Sequence, residues 1–156
     1  MKLSDRVTIE KAEEQHLEEK SYDDFDAFEI VFALNLKFLP KNINNIFKNL
    51  AQIEITHSSL TEITSEDLKF FPELKDLVLN LNQVKVIREN TFIFSPKLEE
   101  ITLMYNKINH IDPKSFSDLK SLEKLGLKEN ICEFGYAFNR NEVLEVIKNI
   151  EQGFCL

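Results

Sequence analysis

The sequence predicts an α/β solenoid: a right-handed coil with a short parallel β-sheet on its concave face and a helix capping its C-terminal end. Three observations predict it. Leu50, Leu74, Leu98 and Leu122 stand 24 residues apart. Apolar residues follow each leucine at the third and fifth positions: Ile53/Ile55, Leu77/Leu79, Ile101/Leu103 and Leu125/Leu127. A polar residue follows at the eighth: Ser58, Asn82, Asn106 and Asn130. A fixed period of this length marks a stack of supersecondary units, none of which can bury its apolar face alone.

Taken in chain order, residues 1–25 are polar and acidic, with Glu13-Glu14 and Glu18-Glu19 among them. They read as an N-terminal cap or flexible acidic arm, with a short strand over Arg6-Val7-Thr8-Ile9. The repeats occupy residues 26–131, in coils of about 26–49, 50–73, 74–97, 98–121 and 122–131. In the first coil, Phe28 to Leu36 alternates like a strand. Leu36 and Leu39 lie 24 residues before Leu60 and Ile63. Pro40, Ile43, Ile46 and Phe47 complete this coil irregularly, as expected of a terminal repeat.

Each recurring position has a physical reason. Alternation puts one set of strand side chains into the core and the other onto the concave face. Ile63, Ile87 and Ile111 recur at one later offset, and Leu68, Phe92 and Phe116 at another. Phe92 and Phe116 are expected to stack on the convex side. The carboxamides of Asn82, Asn106 and Asn130 each carry donor and acceptor, so they can satisfy backbone groups where the chain turns inward. Asn130 is expected to be buried like the others. Ser58 interrupts the row, and a looser turn is expected there.

Residues 132–156 form the C-terminal cap. Asn141 can cap a helix, with Glu142 in the first turn where the helix dipole favours negative charge. Val143, Leu144, Ile147 and Ile150 share one face at helical spacing and should cover the open core end near Leu122. Cys132 and Cys155 flank this segment. A disulfide clamp, two buried thiols and a metal site are the open readings. A closed loop of this size would contribute about 3 kcal/mol. A metal wants more ligands than two cysteines supply, and His16, His57 and His110 are scattered, so neither a metal nor a cofactor is expected.

The segments LAQIEITHSSL, LKDLVLNLNQV, LEEITLMYNKI and LEKLGLKENIC fit L-x-x-L-x-L-x-x-N-x-L. On this signature the chain resembles the leucine-rich-repeat proteins, so the expected fold is a right-handed leucine-rich-repeat coil. The repeats resemble the 24-residue class of receptor ectodomains. The Asn35 to Pro40 stretch, the Ile63 to Leu68 stretch and the Asn130-Ile131-Cys132…Cys155 end resemble small secreted leucine-rich-repeat proteins of insects. The resemblance implies a secreted or extracellular protein. The residues after Met1 contain no apolar segment of signal-peptide type, so a cytoplasmic location stays as the alternative.

The net charge of -8 disfavours nucleic acid and anionic membrane surfaces as partners. No apolar run is long enough to span a bilayer. No Gly-rich phosphate loop, H-E-x-x-H, G-x-S-x-G or C-x-x-C motif occurs, so an enzyme is not expected. The expected function is a protein-binding module using its concave sheet. A cytosolic scaffold or adaptor, and a binder of glycan or lipid patterns, are the competing readings.

The candidate surface is read from the non-core strand positions. Val78, Leu81, Met104 and Tyr105 form an apolar centre in the two middle coils. Glu54, Asp76, Glu100, Lys124 and Lys128 surround it, with Asn80 and Thr102 between. Apolar centres with charged rims are typical of interfaces.

Overall fold

In the computed structural model, residues 27–155 are described, apart from residues 42 and 48. The acidic arm and its expected strand lie outside the described residues. The chain runs β1 (Ala27–Val31), α1 (Ile43–Ile46), β2 (Gln52–Thr56), α2 (Ser65–Leu68), β3 (Asp76–Val78), β4 (Val86–Ile87), β5 (Glu100–Thr102), β6 (His110–Ile111), β7 (Lys124–Gly126), β8 (Tyr136–Ala137) and α3 (Arg140–Glu151). One strand per coil, β1-β2-β3-β5-β7, builds a parallel sheet, and β4 pairs with β6 on a second side. The result is the expected solenoid.

The 24-residue period becomes strand register. Gln52, Asp76, Glu100 and Lys124 are successive partners, as are Ile53, Leu77, Ile101 and Leu125. The first coil departs from it. Ala27 pairs with Gln52, 25 residues on, although Leu36 still stands 24 before Leu60. One extra residue therefore sits between β1 and Leu36. β1 ends at Val31 and a turn follows, so the alternation through Leu36 overstates the strand.

The inward row Ile53, Ile55, Leu77, Leu79, Ile101, Leu103, Leu125 and Leu127 is fully buried. At about 1.5–3 kcal/mol for each fully buried aliphatic side chain, this row supplies much of the drive to stack. On the convex side Phe92 and Phe116 stack with ring centroids 5.4 Å apart, and Leu68 is buried at the same offset.

The asparagines do what the turns require. Asn106 donates to the carbonyls of Leu79, Leu103 and Met104 (2.8, 3.1 and 3.3 Å) and accepts from the Val84 amide at 3.0 Å. Asn82 repeats the pattern on Ile55, Leu79, Asn80 and Leu60, and Asn130 on Leu103, Leu127, Lys128 and Ile108. Asn130 is half-buried, not buried as expected, because no further repeat stacks on it. The Ser58 hydroxyl makes a smaller set, donating to Thr56 O and accepting from the Ala33 amide.

The cap forms with two corrections. Asn139, not Asn141, is the N-cap, because α3 begins at Arg140; its side-chain oxygen accepts from the amides of Asn141 and Glu142. Glu142 reaches back to the Phe138 amide and the Asn139 side chain, which completes the helix start. Leu144 is 46% exposed, because the buried stripe is Val143, Ile147 and Ile150 at i, i+4, i+7, and Leu144 lies about 100° round from Val143. The Arg140 guanidinium donates to the Leu119 and Leu122 carbonyls, tying the helix to the last convex turn. Cys132 and Cys155 form a disulfide across 23 residues, with Cα atoms 5.5 Å apart. The clamp is thus the correct reading of the pair. Before the helix, β8 turns back and pairs antiparallel with β7, closing the sheet edge.

Among the described residues, no helix is long and apolar enough to cross a membrane.

Candidate binding surface

Three rows of side chains emerge on the concave side, each with one member per coil. Strand alternation sets the first two. Ala27, Gln52, Asp76, Glu100 and Lys124 form one row; Glu29, Glu54, Val78, Thr102 and Gly126 form the next. The third row follows the strands, where every coil turns through one residue in the left-handed region. These residues are Phe32 (φ 59), His57 (49), Leu81 (57), Tyr105 (55) and Glu129 (58). None is glycine, and a side chain there costs on the order of 1 kcal/mol. In exchange the turn holds a side chain away from the core. Phe32 is 68% exposed, Leu81 39% and Tyr105 48%. The Phe32 and His57 rings meet at 4.7 Å.

The structure brings most of the expected residues together. Glu54, Asp76, Glu100, Val78, Asn80 and Met104 are half-buried on this face. Asn80 also serves the scaffold, since its side-chain oxygen accepts from the Met104 amide at 2.8 Å. Thr102 occupies its expected row but is only 3% exposed, and its hydroxyl has no partner. Thr56 and Gly126 are buried as well.

Two residues escaped the sequence reading. Tyr136 arrives from β8 rather than from a repeat, so periodicity could not find it. A Cβ built on Gly126 would lie 2.9 Å from the Tyr136 ring and 3.1 Å from Met104 Cγ. The available signal was the glycine itself, standing where other coils carry Glu54, Val78 and Thr102; glycine within a strand marks a close approach. Phe32 was hidden by the extra residue of the first coil, which puts it 25 positions before His57.

Glu100 is the electrostatic centre. Its carboxylate accepts from Lys124 Nζ at 2.9 Å and from the Tyr136 hydroxyl at 3.0 Å. Burial, and then the hydrogen bond to Glu100 and its charge, push the Tyr136 phenol above its ordinary value. The neighbouring carboxyl of Asp76 is also raised, first by burial and then by the charges of Glu100 and Glu99. An acid with a raised pKa contributes most to stability while protonated, and loses that contribution as pH rises through the raised value. Ionised Asp76 is therefore a burden at neutral pH. Asp76→Asn should raise the melting temperature at pH 7 by on the order of 1–2 °C, the scale of surface-charge effects. Thermal melts at pH 7 and pH 3.5 check this: the gain should fade at the lower pH, and a constant difference contradicts it.

Among the described residues, no three His, Cys, Asp or Glu side chains are grouped to hold a metal ion. The surface is a mixed apolar and acidic sheet face.

The sequence profile of the family described as leucine rich repeat matches residues 48–108 and again 72–131, together more than half of the chain. No curated protein matches the sequence.

Proposed function

Since the chain belongs to the leucine-rich-repeat family, we propose that it is a non-catalytic protein-binding module that works outside the cell and takes its partner on the concave face. The repeat family itself is one of protein-interaction scaffolds. The concave face is favoured by one observation above the rest: Val78, Leu81, Met104 and Tyr105 converge in the two central coils with the charged side chains of Asp76, Glu100 and Lys124 around them. Met and Tyr are common in the centres of protein interfaces. The Cys132–Cys155 disulfide supports an extracellular setting, because such bonds persist in oxidising compartments.

Substitution tests the surface. A partner captured by the wild-type chain should bind Leu81→Asp and Tyr105→Ala more weakly, each by more than about 1 kcal/mol, or roughly fivefold. Lys114→Glu, exposed on the convex side, should leave the affinity unchanged. Undiminished binding by a folded double variant at Leu81 and Tyr105 would refute the concave-face assignment.

A further inference from the structure

The N-terminal half of the concave face carries carboxylates that no ion pair among the described residues neutralises. Elsewhere the 24-residue period sets lysine against glutamate across adjacent coils: Lys97 with Glu73 at 2.6 Å, Lys75 with Glu99 at 3.0 Å, Lys124 with Glu100 at 2.9 Å. On this face the strand register sets acid against acid. Glu29 is the register partner of Glu54, and Asp76 that of Glu100. Like charges directly opposite on adjacent strands are destabilising. Lys124 and Tyr136 relieve Glu100. No ion pair among the described residues reaches Glu29, Glu54 or Asp76.

A second observation is independent of charge. The hydroxyl of Thr102 is the buried side-chain polar atom without a hydrogen-bond partner among the described residues. Thr102 lies on the same face as Glu100, in register between Val78 and Gly126. A buried unpaired hydroxyl is costly unless something supplies its partner. Met104, whose side chain is easily re-oriented, is its neighbour along the same face.

We propose that this surface receives a cationic segment of the partner protein. One lysine or arginine lies between Asp76, Glu100 and the Thr102 hydroxyl, a second reaches Glu54, and an adjoining apolar side chain rests on Val78 and Leu81. Arginine suits the first position best, because its planar fork offers several donors at once to carboxylate and hydroxyl acceptors. The carboxylates are spread over three strands, β2, β3 and β5, and are not gathered into a metal-holding group, which favours an extended cationic chain over a single ion. The inference rests on the concave-face reading above and adds the partner's chemistry to it.

The probe is a synthetic peptide of alternating arginine and leucine, compared with its glutamate–leucine counterpart. Fluorescence anisotropy gives the affinity, and ¹⁵N amide shifts give the location. The arginine peptide should bind, with shifts confined to β2, β3, β5 and the turns that follow β3 and β5, and the glutamate peptide should not. A double variant, Glu54→Gln with Asp76→Asn, should bind at least fivefold more weakly. Asp118→Asn with Glu145→Gln makes the same charge change away from the sheet and should stay within twofold of wild type. Equal weakening by both pairs would mean diffuse attraction to an acidic protein and overturns the proposal. So does an absence of binding, shifts outside these strands and turns, or calcium ions reproducing the same shifts. A protein partner whose binding needs Leu81 but ignores Glu54 and Asp76 would overturn the cationic segment and leave the concave face standing; one that ignores Leu81 and Tyr105 removes both.

Discussion

A chain lacking residues 132–156 should lose cooperative unfolding and self-associate. The cap supplies the last layer over the solenoid core: Val143, Ile147 and Ile150 are buried, and Ala137 pairs with Leu125. At about 1.5–3 kcal/mol each, the three larger side chains alone account for roughly 5–9 kcal/mol. That is comparable to the whole stability of an ordinary domain, about 5–15 kcal/mol. Truncation also frees the amide of Leu127 from Gly135 and the carbonyls of Leu119 and Leu122 from Arg140. It uncovers the edge of β7, whose freed backbone groups can pair with another chain. Urea melts followed by circular dichroism, with light scattering for mass, check this. A monomer with an unchanged midpoint contradicts it.

The second large effect is expected at Asn106. Asn106→Ala removes a carboxamide that serves three carbonyls and one amide in the middle of the stack. Orphaned buried groups cost about 1–3 kcal/mol each, and partial relaxation holds the total to about 3 kcal/mol. Ser58→Ala removes two hydrogen bonds nearer the irregular end and should cost about 1 kcal/mol. Denaturant midpoints of the two variants, at equal slopes, give the comparison. An equal or reversed order would mean that the asparagines do not hold the turns.

What the sequence disclosed was whatever obeys a period. The buried row from Ile53 to Leu127, the Asn82–Asn106–Asn130 series and the Phe92–Phe116 stack all follow from spacing. Repetition forces identical positions into identical surroundings. What escaped was non-periodic. Tyr136 depends on a chain reversal after Cys132 that no spacing announces. The choice of Asn139 over Asn141 turns on two residues in a segment rich in capping side chains, where Asn139, Asn141 and Glu142 all fit. Leu144 misled because it lies about 100° round from Val143, past the edge of the narrow Val143–Ile147–Ile150 stripe that this helix buries. The Val78–Leu81–Met104–Tyr105 patch was legible because all four positions recur. The burial of Thr102 was not, because it depends on neighbours that include the close approach at Gly126.

The carboxamide clips also give the molecule a mechanical polarity. Asn82, Asn106 and Asn130 each reach back to the coil before their own, and none reaches forward. A coil peeled from the C-terminal end takes its carboxamide along and strands only main-chain groups at a newly wet surface. A coil peeled from the N-terminal side leaves the next carboxamide at the new surface, where water replaces the partners it has lost. The two ends therefore open differently, and the C-terminal end is the one fastened by the Cys132–Cys155 crosslink and the Arg140 tether.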